Sequence, residues 1–516
     1  VIARRIDPCG ASMHWPLGGS MTRDEASTAD EAVERCELCI VGAGIGGLNA
    51  LFAASHYLSP RDRVLLIDRR EHVGGMWHDT YDHVRLHQPH PMFTAGDIPW
   101  QGSRPPEHLA ERSEVLAHLQ HCYQTLRQRV DLEMRGGYDC RGHEEDTARG
   151  VVVVRCEPRK PGRPPLRIEA RRFVHAVGFG IAPQPPLPLS SRQVRSVSPE
   201  SAALFGPETA RSSAPVYVVG GGKTGMDTAH ALIERFPDKR VRLLIGAGTL
   251  FMERDRAFPT GLRRHFGGTV GIDMMRELAE CFDGDNEDAV TDLFRARHAV
   301  ALHPRCRRHM FGVISRAEND AILRGADQIT MDYLQDVVDG DAGPLMRLRS
   351  GAEHPVEPGA TFVNATGHFR ESPHPYQPFV SPSGRVLAIN ARSSLLPLPA
   401  YAGLLLVHGA CLELLQQLPL YELDGVDLRN RAPEVFLPTV ATHMLHNVMQ
   451  LMPALPAKAQ QQFGVDTARW FPLHRRLPAG LRLLRFIKRH PDHLRKSLDR
   501  VRERFDLRLG PLPHLA

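Results

Sequence analysis

Short apolar runs that end in glycine alternate along this chain with longer stretches whose apolar positions recur at helical spacing. That alternation predicts repeated strand–turn–helix units. The first unit runs Cys39-Ile40-Val41 into Gly42-Ala43-Gly44-Ile45-Gly46-Gly47, and a second apolar strand, Val64-Leu65-Leu66-Ile67, ends at Asp68. The figure returns 178 residues later as Val216-Tyr217-Val218-Val219, then Gly220-Gly221-Gly222-Lys223-Thr224-Gly225, then Arg242-Leu243-Leu244-Ile245. Glu107–Arg129 reads as a helix, and Val151–Val154, Leu166–Ile168 and Phe173–Val177 read as strands. A Pro- and His-rich stretch, 81–107, shows no clear period, and Gly178–Pro188 is dense enough in proline to be a crossover between domains. A mostly helical stretch is expected over about 260–340. The apolar strand Thr361-Phe362-Val363-Asn364-Ala365-Thr366-Gly367 is expected to return to the first sheet.

The physics of the two glycine turns is specific. The first glycine lets the strand turn sharply, the second lets backbone approach a pyrophosphate, and the third lets helix pack on strand. Amides at the helix start then bind the anion. Asp68 lies 21 residues beyond Gly47, which suits a carboxylate that accepts hydrogen bonds from a ribose. No acid closes the second unit. Lys223 stands inside its loop, with Arg242, Arg254 and Arg256 near in sequence, so a 2′-phosphate is matched and NADPH is favoured over NADH. One such turn is a weak signal. Two imply two dinucleotides held facing each other, one passing electrons to the other.

A chain of 516 residues, 42% apolar and 24% charged, is an ordinary globular composition spread over two or three domains. It has no apolar run long enough for a spanning helix, the nearest candidate, near Leu404–Leu415, being interrupted by His408 and Glu413. Residues 1–35 lack the apolar core of a secretory signal and read as a disordered leader, with Met13 or Met21 as candidate starts. The nine cysteines follow no frame and read as free thiols of a cytoplasmic protein, Cys36-Glu37-Leu38-Cys39 included. The net charge of +5 is uneven: Arg475–Arg508 alone carries an excess of eight. There Leu494, Leu498, Val501 and Phe505 form a stripe, read first as a helix packing on its own domain and second as contact with a membrane surface. No nucleic-acid motif accompanies the charge.

Four features in order resemble the class B flavin-dependent monooxygenases, which include flavin-containing, YUCCA-type and Baeyer–Villiger enzymes. These are Gly42–Gly47 with Asp68; Gly74-Gly75-Met76-Trp77 running into Tyr81–Pro89; Gly220–Gly225 with Met226-Asp227; and Asn364-Ala365-Thr366-Gly367-His368. The stretch Tyr81–Pro89 looks most like the YUCCA-type sequence of that region. The resemblance implies an α/β protein with two Rossmann-like domains, an FAD domain carrying an inserted NADPH domain, plus a helical C-terminal segment. Its boundaries are expected as a leader over 1–35, FAD domain over 36–190, NADPH domain with helical insertion over 191–350, FAD domain again over 351–455, and a basic helical segment over 456–516. It implies FAD and NADPH as cofactors, with Gly42, Gly44, Gly46, Gly47, Asp68, Arg69, Gly75, Met76, Trp77, Leu86, His87, Thr366 and Gly367 around the flavin. Gly220, Gly222, Lys223, Thr224, Gly225 and Arg242 are expected around NADPH. It further implies oxygen transfer to a small organic substrate through a carbon-4a (hydro)peroxyflavin.

Departures from the family pattern are as informative. The F-x-G-x-x-x-H signature is not legible, Val197 standing where its histidine is expected, and the earlier A-T-G turn reads Ala176-Val177-Gly178. Where animal-type members have an active-site asparagine, His87 stands, and it is the candidate catalytic residue, its imidazole setting peroxide protonation near neutral pH. A holding role for a loop histidine is the equal alternative. Two histidine clusters, His78/His83/His87/His90 and His298/His303/Cys306/His309, are not expected to bind metal, since the first belongs beside the flavin and arginines surround the second. A reductase or dehydrogenase of the same architecture, or a non-catalytic flavoprotein, are the alternatives. The substrate pocket is expected among Met92–Trp100, Phe258–Phe266 and Pro399–Glu413.

Overall fold

The computed structural model describes residues 33–309, 311–367, 372–393, 395–396, 398–463 and 466–512. His368 and the candidate starts Met13 and Met21 lie outside them. The chain builds two parallel-centred sheets, each beside its own apolar core.

The first sheet is seven-stranded. Strand Val33–Val41 is central, with Arg63–Asp68 and then Asp131–Gly136 parallel on one side and Leu166–Gly178 parallel on the other. Leu166–Gly178 divides its far edge: its first half takes Val151–Pro158 antiparallel, and its second half takes Val386–Asn390 parallel. Val64, Leu65, Leu66 and Ile67 are all fully buried, as a strand covered on both faces requires. Helices Ile45–Ala54 and Pro399–Cys411 pack together on this sheet. They cross at backbone contact, since a Cβ on Gly403 would lie 2.3 Å from the Gly46 carbonyl oxygen.

The second sheet has five parallel strands in the order Ala326–Thr330, Val241–Leu244, Val216–Val219, Thr361–Asn364, Arg195–Val197. Three sequence expectations change here. Thr361–Asn364 completes this second sheet, pairing with Val216–Val219, and the chain returns to the first sheet only at Val386–Asn390. The strand entering the first fingerprint begins at Val33, so 33–35 are sheet and not leader. The helical insertion gives way at Ala326 to strands that include the hairpin Leu334–Gly340 and Gly343–Leu348, closed by the Asp341-Ala342 turn.

Past residue 450 the chain crosses back over the second unit. Helices Leu473–Arg489 and His493–Phe505 pack on Gly271–Cys281 and Phe436–Leu451. Leu494, Leu498 and Val501 are buried there, so the terminal stripe packs on its own protein. Among the described residues no helix is long and apolar enough to cross a membrane.

Candidate functional site: two glycine turns and one apolar cavity

The two fingerprints are built alike. Gly42 has φ 112° and Gly220 has φ 136°, a region open to glycine. A Cβ on Gly42 would lie 2.2 Å from the Ala176 carbonyl oxygen, and one on Gly220 would lie 2.1 Å from that of Ala365. Each fingerprint is therefore closed by the turn of a neighbouring strand: Ala176-Val177-Gly178 serves the first and Ala365-Thr366-Gly367 the second. Thr366 and Gly367 thus belong to the second dinucleotide unit, a correction that follows from the strand order. Third glycines are equally constrained, a Cβ on Gly47 falling 1.8 Å from Gly42 O and one on Gly225 falling 2.1 Å from Gly220 O.

Both helices leave their starts open. Ile45–Ala54 begins after Gly44 and Lys223–Arg235 after Gly222, with no side-chain cap and no acid in either first turn. The leading amides, Ile45 to Gly47 and Lys223 to Gly225, have no intrahelical acceptor, which makes each start an anion site. A Cβ on Gly222 would meet nothing within 4 Å, so that approach is clear.

Around the first turn the polar groups are arranged by the backbone. Asp68 is buried, and its carboxylate accepts from the amides of Ala43 at 2.7 Å and Arg70 at 2.8 Å. The Gly74 amide donates to Ala43 O at 3.0 Å, which lays Gly75 against Gly44. Trp77 is buried with its ring 5.8 Å from Phe93, while Met76 is 36% exposed. Leu86 is a core residue whose amide donates to Ala110 O, and Arg69 points to Asp139 at 3.9 Å.

Loop residues 81–87 tie the two units together. Tyr81 donates to Asp227 at 2.8 Å, and Asp227 also pairs with Lys223 one helical turn earlier. Burial and the Asp227 carboxylate hold the Tyr81 phenol well above its ordinary range. Arg254 Nε donates to the His87 carbonyl at 2.9 Å, and its guanidinium pairs with Glu318 at 2.8 Å. Glu318 itself closes a capping box with Ser315, and the cation beside it helps to lower it to about 2 despite burial.

His87, Gly221, Gly222, Lys223 and Thr224 all line one cavity of about 780 Å³, within the range of small-molecule sites. Met92, Phe258 and Tyr401 represent the three segments expected from sequence. Most of the remaining wall lies outside those segments: Met274, Leu278, Phe294, Phe436 and Met444 come from helices Gly271–Cys281, Glu287–His298 and Phe436–Leu451. Their helical apolar spacing reads in sequence only as core.

Two chemical expectations are corrected. Desolvation, with Lys223 and Arg254 nearby, lowers His87 to about 3, so its imidazole is neutral and does not titrate near pH 7. The arginines expected at a 2′-phosphate are engaged elsewhere. Arg242 pairs with Asp327 at 2.6 Å and donates to Tyr217, Arg254 is held by Glu318, and Arg256 pairs with Glu253 at 3.1 Å. A second, open cavity of about 490 Å³ lies just past the strand Val241–Leu244, lined by Gly246, Ala247, Arg305, Asp332, Tyr333 and Arg349. Arg349 stacks 3.7 Å over the Tyr333 ring, and Arg308 donates to the Tyr333 hydroxyl at 3.3 Å. Among the described residues, none of Arg305, Arg308 and Arg349 is in an ion pair. The histidines of the second cluster go separate ways, His298 to Glu277 and His309 to the Leu250 carbonyl.

Residues 40–97 match the NAD(P)-binding Rossmann-like domain family. No curated protein matches the chain in sequence. Among solved structures, a flavin-containing monooxygenase from Stenotrophomonas maltophilia is 14% identical over 74% of this chain and 98% of its own, with a TM-score of 0.44. A cyclohexanone-bound cyclohexanone monooxygenase is 13% identical over 82% and 98%, at 0.48. The bacillithiol disulfide reductase of Bacillus cereus is 12% identical over 74% and 100%, at 0.45. Likeness at this level decides neither reaction nor substrate.

Proposed function

We propose that this protein is an NADPH- and oxygen-dependent FAD monooxygenase of the class B kind, acting on a small apolar organic substrate. One observation carries the reading. The open helix start of the second fingerprint and His87, from the loop beside the first, face the same apolar cavity. A nicotinamide, a flavin edge and an apolar substrate are the three groups that such a space suits.

The residues fit both dinucleotides. Each fingerprint excludes a Cβ at two glycines, and each presents free amides to a pyrophosphate. Asp68 keeps lone pairs for ribose hydroxyls beyond the two amides it holds. Arg305 and Arg349 offer guanidinium groups for a 2′-phosphate at the end of the second unit's strand. When bound, the cofactors supply hydride transfer from NADPH to FAD and oxygen activation at the flavin carbon 4a. The chain's part is to orient and to keep water out. Neutral His87 can donate one hydrogen bond from a ring nitrogen without bringing a charge, and Arg254 fixes its backbone. The methionine and phenylalanine walls limit the hydrolytic and proton-leak side reactions that would release hydrogen peroxide.

The test is to identify the flavin released from one denatured sample, and to supply an intact sample with NADPH and ¹⁸O₂ and an apolar ketone or sulfide. The expected result is FAD and product carrying one ¹⁸O atom per NADPH consumed. NADPH oxidation that yields hydrogen peroxide alone with every substrate would favour the reductase reading, and absence of bound flavin would reject both.

A further inference from the structure

Ten large apolar side chains are exposed among the described residues, and six of them lie on two adjoining elements. Leu473, Leu477, Leu481 and Leu484, each 53–58% exposed, stand on helix Leu473–Arg489. At about 100° per residue they share roughly 80° of its circumference. The opposite side buries Ala479, Leu483 and Phe486 against the protein. Leu262 and Phe266 are 79% and 83% exposed on the neighbouring turn. That turn is clamped to the helix start: Arg475 donates to the carbonyls of His265, Gly267 and Gly268, and the His474 ring bonds to His265 O at 3.1 Å.

The charge around this face has one sign. The helix carries six Arg and Lys and no acid. Arg482 is paired with Asp273, whereas Arg485, Lys488 and Arg489 make no ion pair among the described residues. Arg263 on the turn is exposed and equally free. Apolar side chains on the outer face with cations beside them are the pattern of a helix lying in a bilayer interface. A patch of this kind on a soluble surface marks a docking site.

We infer that the helix Leu473–Arg489 and the turn Leu262–Phe266 form a docking surface for an anionic lipid bilayer, peripheral and not spanning. The surface shares a wall with the cavity. Ala479, on the inner side of the same helix, packs in one cluster with Phe258 and Ile272, both of which line the cavity. Docking would hold that wall against the bilayer. The terminal stripe singled out in sequence, Leu494 to Phe505, is the wrong helix for this role, because its leucines are buried.

The experiment is co-sedimentation of the full chain with phosphatidylcholine vesicles, with and without phosphatidylserine. Sedimentation with the anionic vesicles, weakened by salt, is expected. The double variant Leu477→Ser/Leu481→Ser should bind about tenfold more weakly while keeping its melting temperature, since both side chains are already exposed. The triple variant Arg485→Gln/Lys488→Gln/Arg489→Gln should lose roughly a hundredfold on anionic vesicles. Wild-type protein that stays in the supernatant, or a leucine variant that sediments like wild type, would overturn the assignment. So would a wild-type dimer that the leucine variant dissolves without any vesicle binding, which would make this face a self-association surface.

Discussion

His87 illustrates how a residue's surroundings decide what it can do. Its sequence position invites a group that titrates at physiological pH, yet burial beside Lys223 and Arg254 keeps the imidazole neutral down to about 3. The expectation is a turnover rate with no inflection near the free-histidine value of about 6.5 that belongs to this residue. A pH profile in which such an inflection disappears in His87→Gln would contradict that. His87→Ala should raise the fraction of NADPH lost to hydrogen peroxide about tenfold, the worth of one hydrogen bond, measured as peroxide per NADPH. At the second cavity, Arg349→Ala should raise KM for NADPH by roughly tenfold to a hundredfold, the cost of a charged hydrogen bond. KM for NADH should barely move. Equal effects on both would mean that Arg349 supports Tyr333 and does not read the phosphate. These arginines escape sequence reasoning because nothing in their spacing links 305 and 349 to the strand ending at 244. Loop contacts made only in the folded chain bring them there, the Gly246 amide donating to Asp332 O and the Arg349 amide to Tyr333 O.

The glycines divide at the scale of the element into those the fold needs and those the ligand needs. At Gly222 a methyl group meets nothing, and the backbone φ of −90° is ordinary. Gly222→Ala should keep the wild-type melting temperature and weaken NADPH binding, read by KM and by titration. At Gly403 a methyl group would press on the Gly46 carbonyl at 2.3 Å, so the two helices must part. Gly403→Ala should destabilise by about 1–3 kcal/mol, as overpacking does, and release flavin on dilution. An unchanged melting temperature would show that the crossing tolerates the shift. The fingerprints are legible in sequence because glycine at these turns has a local cause. The pairing of Thr361–Asn364 is not, because a four-residue run centred on Phe362 and Val363 suits either sheet equally. Nor is the division between Leu473–Arg489 and His493–Phe505, where both helices are amphipathic and only packing decides which stripe is covered.

Across the whole molecule, buried histidines tie stability to pH. Desolvation holds His175 at about 3 and both His309 and His443 at about 4. An unfolded chain binds protons at these sites below about 6.5, while the folded one cannot. Their contribution is therefore fully present above about pH 6.5 and declines as pH falls towards 4, each histidine withdrawing on the order of 1–2 kcal/mol by pH 5. Thermal melts should show a clear fall in midpoint between pH 7.5 and pH 5, and a flat profile would refute the assignment. Two dinucleotide units, their order and most of their strands can be read from the chain itself. Of the cavity only Met92, Phe258 and Tyr401 fall in segments expected from sequence, because most of its wall comes from helices of the insertion and of the C-terminal third, whose apolar spacing says only that they are buried somewhere.

The most direct measurement is to reduce the flavin-loaded protein with NADPH without oxygen, then mix it rapidly with oxygenated buffer. Water-poor walls and a neutral His87 require a spectral species distinct from both oxidised and reduced flavin, persisting on the order of seconds. Its lifetime should shorten in His87→Ala. Immediate return of the oxidised spectrum with stoichiometric hydrogen peroxide, alike in wild type and variant and unchanged by an apolar substrate, would contradict the monooxygenase account.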